Sequence, residues 1–382
     1  MKSTSRERLL AALSHRKPDR IPFTWGFGAT PEMAAALRAH LAPQGIDWDK
    51  LQAATEDKIH VAPAYLGPAC ANPSLGIWGI NVRSADYGEG HYEEFTEFPL
   101  AGLTTPEAID AYAWPNPDWF DYAGLAAAIP ADRTRATQFS AGNPFELYCW
   151  MTGIEDALMN VLAEPALVQR TLEHITGFLD ARLQRTLAAA PDDIDLVFFA
   201  DDLGTQQGLL MSRDAYREVL QPFHRRLTDT VRRLAPRAHC LLHSDGAVFD
   251  VIPDLLDAGI DTLEAVQTDA AGMNPERLKR AYGDRLSFQG AISVQHLLPH
   301  GNPETVRAEC LRLMDVLGKD GGYIAAPAHA IQVGTPPENV LAMLHTVLGD
   351  SAYKSAWQRA CDRDGQGRVR ISTRRRVMSE VL

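Results

Sequence analysis

A chain of 382 residues, 46% hydrophobic and 23% charged, has enough apolar side chain for a core that needs no disulfide staples. Its net charge of −12 disfavours broad contact with a phosphate backbone, and its one basic cluster, Arg374-Arg375-Arg376, reads as a solvated tail rather than a nucleic-acid contact. No apolar run approaches the roughly 20 residues that span a bilayer, the start MKSTSRERLLAAL lacks a long apolar stretch, and Cys70, Cys149, Cys240, Cys310 and Cys361 are scattered without CxxC spacing; the expectation is a cytoplasmic protein with reduced thiols and no membrane partner.

In chain order, the spacing of Leu9, Leu10 and Leu13 predicts a first helix over Ser5–Ser14, ended by Pro18. Short runs rich in β-branched and aromatic residues then predict strands at Ile21–Trp25, Lys58–Ala62, Ala136–Ser140, Ile194–Ala200, Ala238–His243, Ile260–Glu264, Leu286–Gln289 and Tyr323–Ala326. Amphipathic segments between them predict helices over Ile154–Ala163, Leu167–Ala190, Arg213–Leu234, Val248–Ala258, Pro275–Tyr282 and Pro303–Leu317. Eight strands alternating with helices indicate an α/β fold, a (β/α)8 TIM barrel formed as a single domain over residues 1–382; a doubly wound open sheet is the alternative. Residues 63–132, rich in Pro, Gly and aromatics, are too long for a plain connection and read as an excursion covering the barrel mouth.

In such a barrel the chemistry sits where the strands end. The strand ends here read FFADDLGTQQG, LLHSDG, LEAVQ, SFQGAIS and YIAAPAHAIQVGTP. They deliver Asp201, Asp202, Gln207, His243, Asp245, Glu264, Gln267, Gln289 and His329. His243 and Asp245, two apart, can reach one ion if the chain turns there, and His329 or Glu264 would complete a two-His, one-carboxylate set suited to zinc, iron or manganese. The bland alternative makes Asp245 or Ser244 a helix N-cap and His243 a hydrogen-bonded core residue. Asp201 and Asp202 are candidates for acid/base work or for closing a turn, and Glu264 and Gln267 for ligand and substrate contacts or for a helix start. Tyr148, with Trp150 and Met151, suits core or pocket wall. GxxxxGK[ST], GxSxG, HExxH and GxGxxG are all absent, so neither a phosphate cradle nor a serine triad has support.

The segments RERLLAALSHRKPDRIPF, WPNPDWFDY, FFADDLGTQQGLLMS, HSDGAVFDVIPDLLDAGIDTLEAVQTDAAGMNPERLK, FQGAIS and GGYIAAPAHAIQVGTPPENV, in that order, resemble the uroporphyrinogen decarboxylase-like superfamily over nearly the whole chain. The resemblance implies a (β/α)8 barrel. One branch of that superfamily comprises cofactor-free decarboxylases with an early arginine-rich motif; here the matching FTWGFGATPEM lies in a stretch with no arginine between Arg20 and Arg38. A tetracarboxylate substrate needs cationic partners, so this counts against that branch. The other branch comprises zinc-dependent methyltransferases that move methyl groups to or from a corrinoid protein, with zinc on a His-x-Cys pair and a later Cys before a Thr-Pro.

The positions that match this zinc motif are His243, Asp245 and His329, the last seven residues before Pro336. Both thiolates are replaced by residues that still ligate metal, which makes the site harder and more Lewis-acidic. The resemblance therefore implies a metal-dependent methyltransferase with zinc or another divalent ion on His243, Asp245 and His329. Asp201, Asp202 and Glu264 would orient substrate or handle a proton, and Gln207, Gln267, Gln289 and Tyr148 would contact it. The corrinoid would come from a separate carrier protein, and the methyl partner would be an O-methyl compound or a folate in place of coenzyme M. A lyase acting on a small or tetrapyrrole carboxylate, and non-catalytic binding of a corrinoid or tetrapyrrole, are the competing readings.

Overall fold

The computed structural model describes residues 3–361 except 71, 87, 89 and 90, so the Arg374-Arg375-Arg376 cluster lies outside the described residues. These fall into two compact units, one of residues up to Ile59 with those from Glu264 onward, the other His60–Leu263. Among the described residues no helix is long and apolar enough to cross a membrane.

The fold is α/β. Seven strands form one sheet: β1 (Lys58–His60), β2 (Ala136–Gly142), β3 (Leu196–Ala200), β4 (His239–His243), β5 (Thr262–Ala265), β6 (Ser287–Ile292) and β7 (Tyr323–Pro327), in the order β1-β2-β3-β4-β5-β6-β7. Within His60–Leu263, β2, β3 and β4 pair in parallel, with Gln138 beside Leu196 and Leu196 beside His239. In the other unit, β6 and β7 pair in parallel from Phe288 beside Tyr323. β5, β6 and β7 are buried along their whole lengths, which is why they read as apolar runs without alternation.

Helices Pro165–Ala189 and Pro303–Gly318 pack beside these strands, and Pro275–Tyr282 packs on Pro303–Gly318. The first helix, Ser5–Leu13, starts on a reciprocal cap: Thr4 Oγ1 accepts from Glu7 N, and the Glu7 carboxylate accepts from Thr4 N.

Two expected elements differ. Ile21–Trp25 is not a strand: only Phe23 bridges, parallel to Ala325. Pro22 has no N–H, and side chains take two of the amides a ladder would use. Phe23 N donates to Asp57 Oδ2 (2.8 Å) and Trp25 N to Glu56 Oε2 (2.9 Å). The segment still lies beside β7, with Thr24 N donating to Ala325 O and Ala325 N to Pro22 O; on its other side Asp57 N donates to Phe23 O.

The predicted helix over Arg213–Leu234 is interrupted. Arg213–Ala215 leads into a π-helical turn, Tyr216–Leu220, before the α-helix resumes over Gln221–Leu234. Pro222 cannot donate to the carbonyl of Glu218, and the extra residue of the π-turn absorbs its ring. The Glu218 carbonyl instead accepts from Gln169 Nε2 at 3.0 Å.

Residues 63–132 contain an antiparallel hairpin, Asn81–Asp86 with His91–Glu97, and a short pair, Ala64–Tyr65 with Phe120–Asp121. Asp110 ties this stretch to helix Pro165–Ala189 through Arg170 (2.6 Å) and His174 (2.8 Å).

Candidate active site

In the unit His60–Leu263, the chain turns sharply after β3 and β4, and each turn holds the other. Leu203 N donates to Ser244 Oγ (2.9 Å), and Asp245 N donates to Asp202 Oδ1 (2.8 Å). Gly246 lets the turns touch: its φ is +83°, and a Cβ there would lie 2.5 Å from the Thr205 carbonyl oxygen. The result sets His243, 5% exposed, with Nε2 3.7 Å from Asp202 Oδ1 and 3.9 Å from Asp245 Oδ1. Asp245 is therefore not the N-cap of the helix that follows, which opens as a 3-10 turn at Phe249–Val251 with no side-chain cap.

Asp201 has a different place from the one expected of a cavity-facing acid. It is fully buried, and both of its oxygens are engaged. Oδ1 accepts from the amides of Phe145 and Glu146 (2.8 Å each), and Oδ2 meets His224 Nε2 at 2.7 Å. His224 Nδ1 in turn meets Tyr216 Oη at 3.0 Å. Helix Pro144–Thr152 has no side-chain cap from its own Asn143, so a carboxylate from a distant strand end satisfies its first amides and complements its positive end. Burial raises the Asp201 carboxyl while His224 and the two amides lower it. An acid so fully occupied orients its surroundings and has no free oxygen for substrate.

What Asp201 positions is Glu146, a residue the sequence reading did not single out. The half-buried Glu146 carboxylate accepts from Asn143 Nδ2 at 3.0 Å. Burial, then the charges of Asp202 and Asp201, push it up to about 8, so it holds a proton at neutral pH. Its only sequence signal was its position in NPFEL, in the first turn of a helix that follows a strand end.

In the other unit, the His329 ring stacks on Phe27 (4.9 Å between centroids, 22° between planes). Glu264, at the end of β5, is 2% exposed, and Gln267 and Gln289 are buried. Gln289 Oε1 accepts from the Lys58 ammonium at 3.3 Å. Glu56, beside Lys58, is raised to about 7 by burial, which outweighs the help of Lys58 and of the Trp25 amide. Neither Lys58 nor Glu56 was anticipated, because a charged residue at the start of a strand ordinarily faces solvent.

Of the three expected metal ligands, His243 and Asp245 thus lie together in one unit, and His329 belongs to the other. Gln207 is exposed at the tip of the turn bridged by Gly204 and Leu209, with its amide on Thr205 Oγ1. Tyr148 is buried core, packed on Phe145 with its hydroxyl near Asn160 and Thr152; burial raises it to about 12.

A family model described as uroporphyrinogen decarboxylase (URO-D) matches residues 128–349. A methylated-thiol–coenzyme M methyltransferase of Methanosarcina mazei is 25% identical over 319 residues, covering 82% of this chain and 70% of that one. A uroporphyrinogen decarboxylase of Azoarcus sp. is 26% identical over 216 residues, covering 54% of this chain and 56% of that one. Among solved structures, a methyltransferase from Methanosarcina mazei superposes with a TM-score of 0.63 at 18% identity, covering 93% of this chain and 99% of that one, which establishes a shared fold.

Proposed function

The chain belongs to the uroporphyrinogen decarboxylase (URO-D) family, and from that premise we propose that it is a metal-dependent methyltransferase moving a methyl group between a small substrate and a corrinoid on a separate carrier protein. The observation that carries this reading is the pairing of His243 and Asp245 after β4, with Nε2 3.9 Å from Oδ1; His329, in the other unit, would be the third donor and completes two imidazoles and one carboxylate. Three such ligands suit zinc and leave a position for substrate. Similarity over 82% of the chain to a methyltransferase, and the lack of arginine between Arg20 and Arg38, favour this branch over the decarboxylases.

A bound zinc ion supplies Lewis acidity that stabilises a substrate oxygen or sulfur as its anion. The chain's own residues do the rest. The Asp202 carboxylate accepts the Asp245 amide at 2.8 Å, which fixes the loop carrying two of the ligands, and lies 3.7 Å from His243 Nε2. The substrate heteroatom that loses its methyl group gains a proton, and Glu146, protonated at neutral pH, is the group that holds it. The scaffold in this proposal is one closed (β/α)8 barrel domain with residues 63–132 covering its mouth. Ile21–Trp25, though not a regular strand, would fill the eighth position through its bonds to Ala325 on one side and Asp57 on the other.

Elemental analysis of the purified protein, paired with a spectral assay of methyl transfer from an O-methyl donor to reduced cobalamin, tests this reading. One zinc per chain, lost in His243→Ala together with methyl transfer while the fold survives, is the expected result. Full methyl transfer by metal-free protein would overturn the metal dependence, and a metal-free protein that transfers no methyl group would favour a lyase.

A further inference from the structure

In the unit built from residues up to Ile59 and from Glu264 onward, a buried ammonium meets a buried carboxamide. Lys58, at the start of β1, is 2% exposed and Gln289, within β6, is 0% exposed. The Lys58 ammonium donates to Gln289 Oε1, and this fixes which way the carboxamide points, since an ammonium has no acceptor to offer an N–H. Gln289 Nε2 must therefore face away from Lys58, and among the described residues it has no hydrogen-bond partner. An ammonium carries three protons, so two remain beyond the bond to Gln289.

The carboxylates of Glu56 and Asp57 accept from other groups. Glu56 Oε2 is taken by the Trp25 amide (2.9 Å) and Oε1 lies 3.4 Å from the Lys58 amide. Asp57 accepts from Phe23 N, Arg20 and Arg8. Glu264 and Glu56 favour the Lys58 charge, yet burial outweighs both and pulls the ammonium down. A buried amine of this kind gains most from an anionic acceptor. The arriving charge is tolerable because Glu56, already raised to about 7, gives up its own charge near neutral pH.

We propose that Lys58 and Gln289 form a carboxylate subsite, so that the substrate is a small acid bearing a carboxylate as well as its methylated oxygen or sulfur. The second half of that statement rests on the methyl-transfer reading; the subsite itself does not. The Lys58 ammonium and the Gln289 N–H groups take the carboxylate oxygens, satisfying donors that the chain leaves over.

The test is calorimetric titration of the full-length, zinc-loaded protein with methoxyacetate and with its neutral isostere, methoxyacetamide. Wild type is expected to bind the acid at least tenfold more tightly than the amide. Gln289→Glu is the decisive variant: it preserves shape and strengthens the bond to Lys58, but replaces the outward donor with an acceptor. Acid binding should fall at least tenfold while the thermal midpoint and zinc content hold. Gln289→Leu and Lys58→Met should bring acid and amide to within about twofold of each other, and Gln289→Leu remains informative if Lys58→Met fails to fold. Equal binding of acid and amide by wild type, or unchanged discrimination in folded Gln289→Glu, would overturn the subsite and leave buried water as the partner of these donors. Loss of zinc binding or methyl transfer with the acid preference intact would instead count against the methyltransferase reading alone.

Discussion

Replacing Asp201 separates a positioning role from a catalytic one. Its carboxylate satisfies two backbone amides at 2.8 Å and His224 at 2.7 Å in a fully buried setting. Asp201→Ala strands those two amides and one imidazole nitrogen. Each buried unsatisfied polar group costs about 1–3 kcal/mol, so the sum, softened by relaxation or a water entering the void, is about 3–5 kcal/mol.

Asp201→Asn keeps Oδ1 for both amides and turns an NH2 group toward His224. The imidazole can answer by moving its proton from Nε2 to Nδ1, which sacrifices the arrangement with Tyr216 Oη; the cost should be about 1–2 kcal/mol. Urea unfolding followed by circular dichroism, with the m-value held constant, measures both variants. The ordering Ala much worse than Asn, with methyl transfer lost only in proportion to the displacement of Glu146, is expected. If Asp201→Asn leaves stability at the wild-type value and abolishes turnover, the residue acts on substrate directly and the assignment made from its hydrogen bonds is wrong.

Glu146→Gln should lower methyl transfer at least tenfold. In wild type, a rate that needs the Glu146 proton stays level below about pH 8 and declines above it, and the variant should lack that declining limb. Glu56, held at about 7 in the folded protein against 4.5 unfolded, binds its proton more tightly when folded, so its contribution is fully present below about 4.5 and lost as pH rises through 7. The stability of wild type relative to Glu56→Gln should therefore fall between pH 5 and 7, at no more than about 1.4 kcal/mol per pH unit; a difference flat with pH would refute the shift. Gly290→Ala should fail to fold, because φ there is +109° and a Cβ would sit 1.9 Å from the Ala265 carbonyl oxygen; a soluble variant with native circular dichroism would contradict this.

Sequence alone determined the alternation of strands and helices, because apolar periodicity and Pro and Gly punctuation are local properties. Spacing beside a strand end also offered His243 and Asp245 as a candidate pair with His329 or Glu264 as the third ligand, and the resemblance to the superfamily's zinc motif selected His329. It did not determine that Ile21–Trp25 lies alongside β7 without being a regular strand, since that depends on Asp57 and Glu56, 30 or more residues away, capturing the amides of Phe23 and Trp25. Nor could it sort the aspartate pair. Asp201 and Asp202 are adjacent and chemically identical, and only the fold brings the uncapped helix at Pro144 and His224 against one of them while the other meets the Asp245 amide. Glu146, Lys58 and Gln289 acquire their chemistry the same way: burial and neighbours set their proton affinity and spare donors, and neither burial nor neighbours is a property of a residue in sequence.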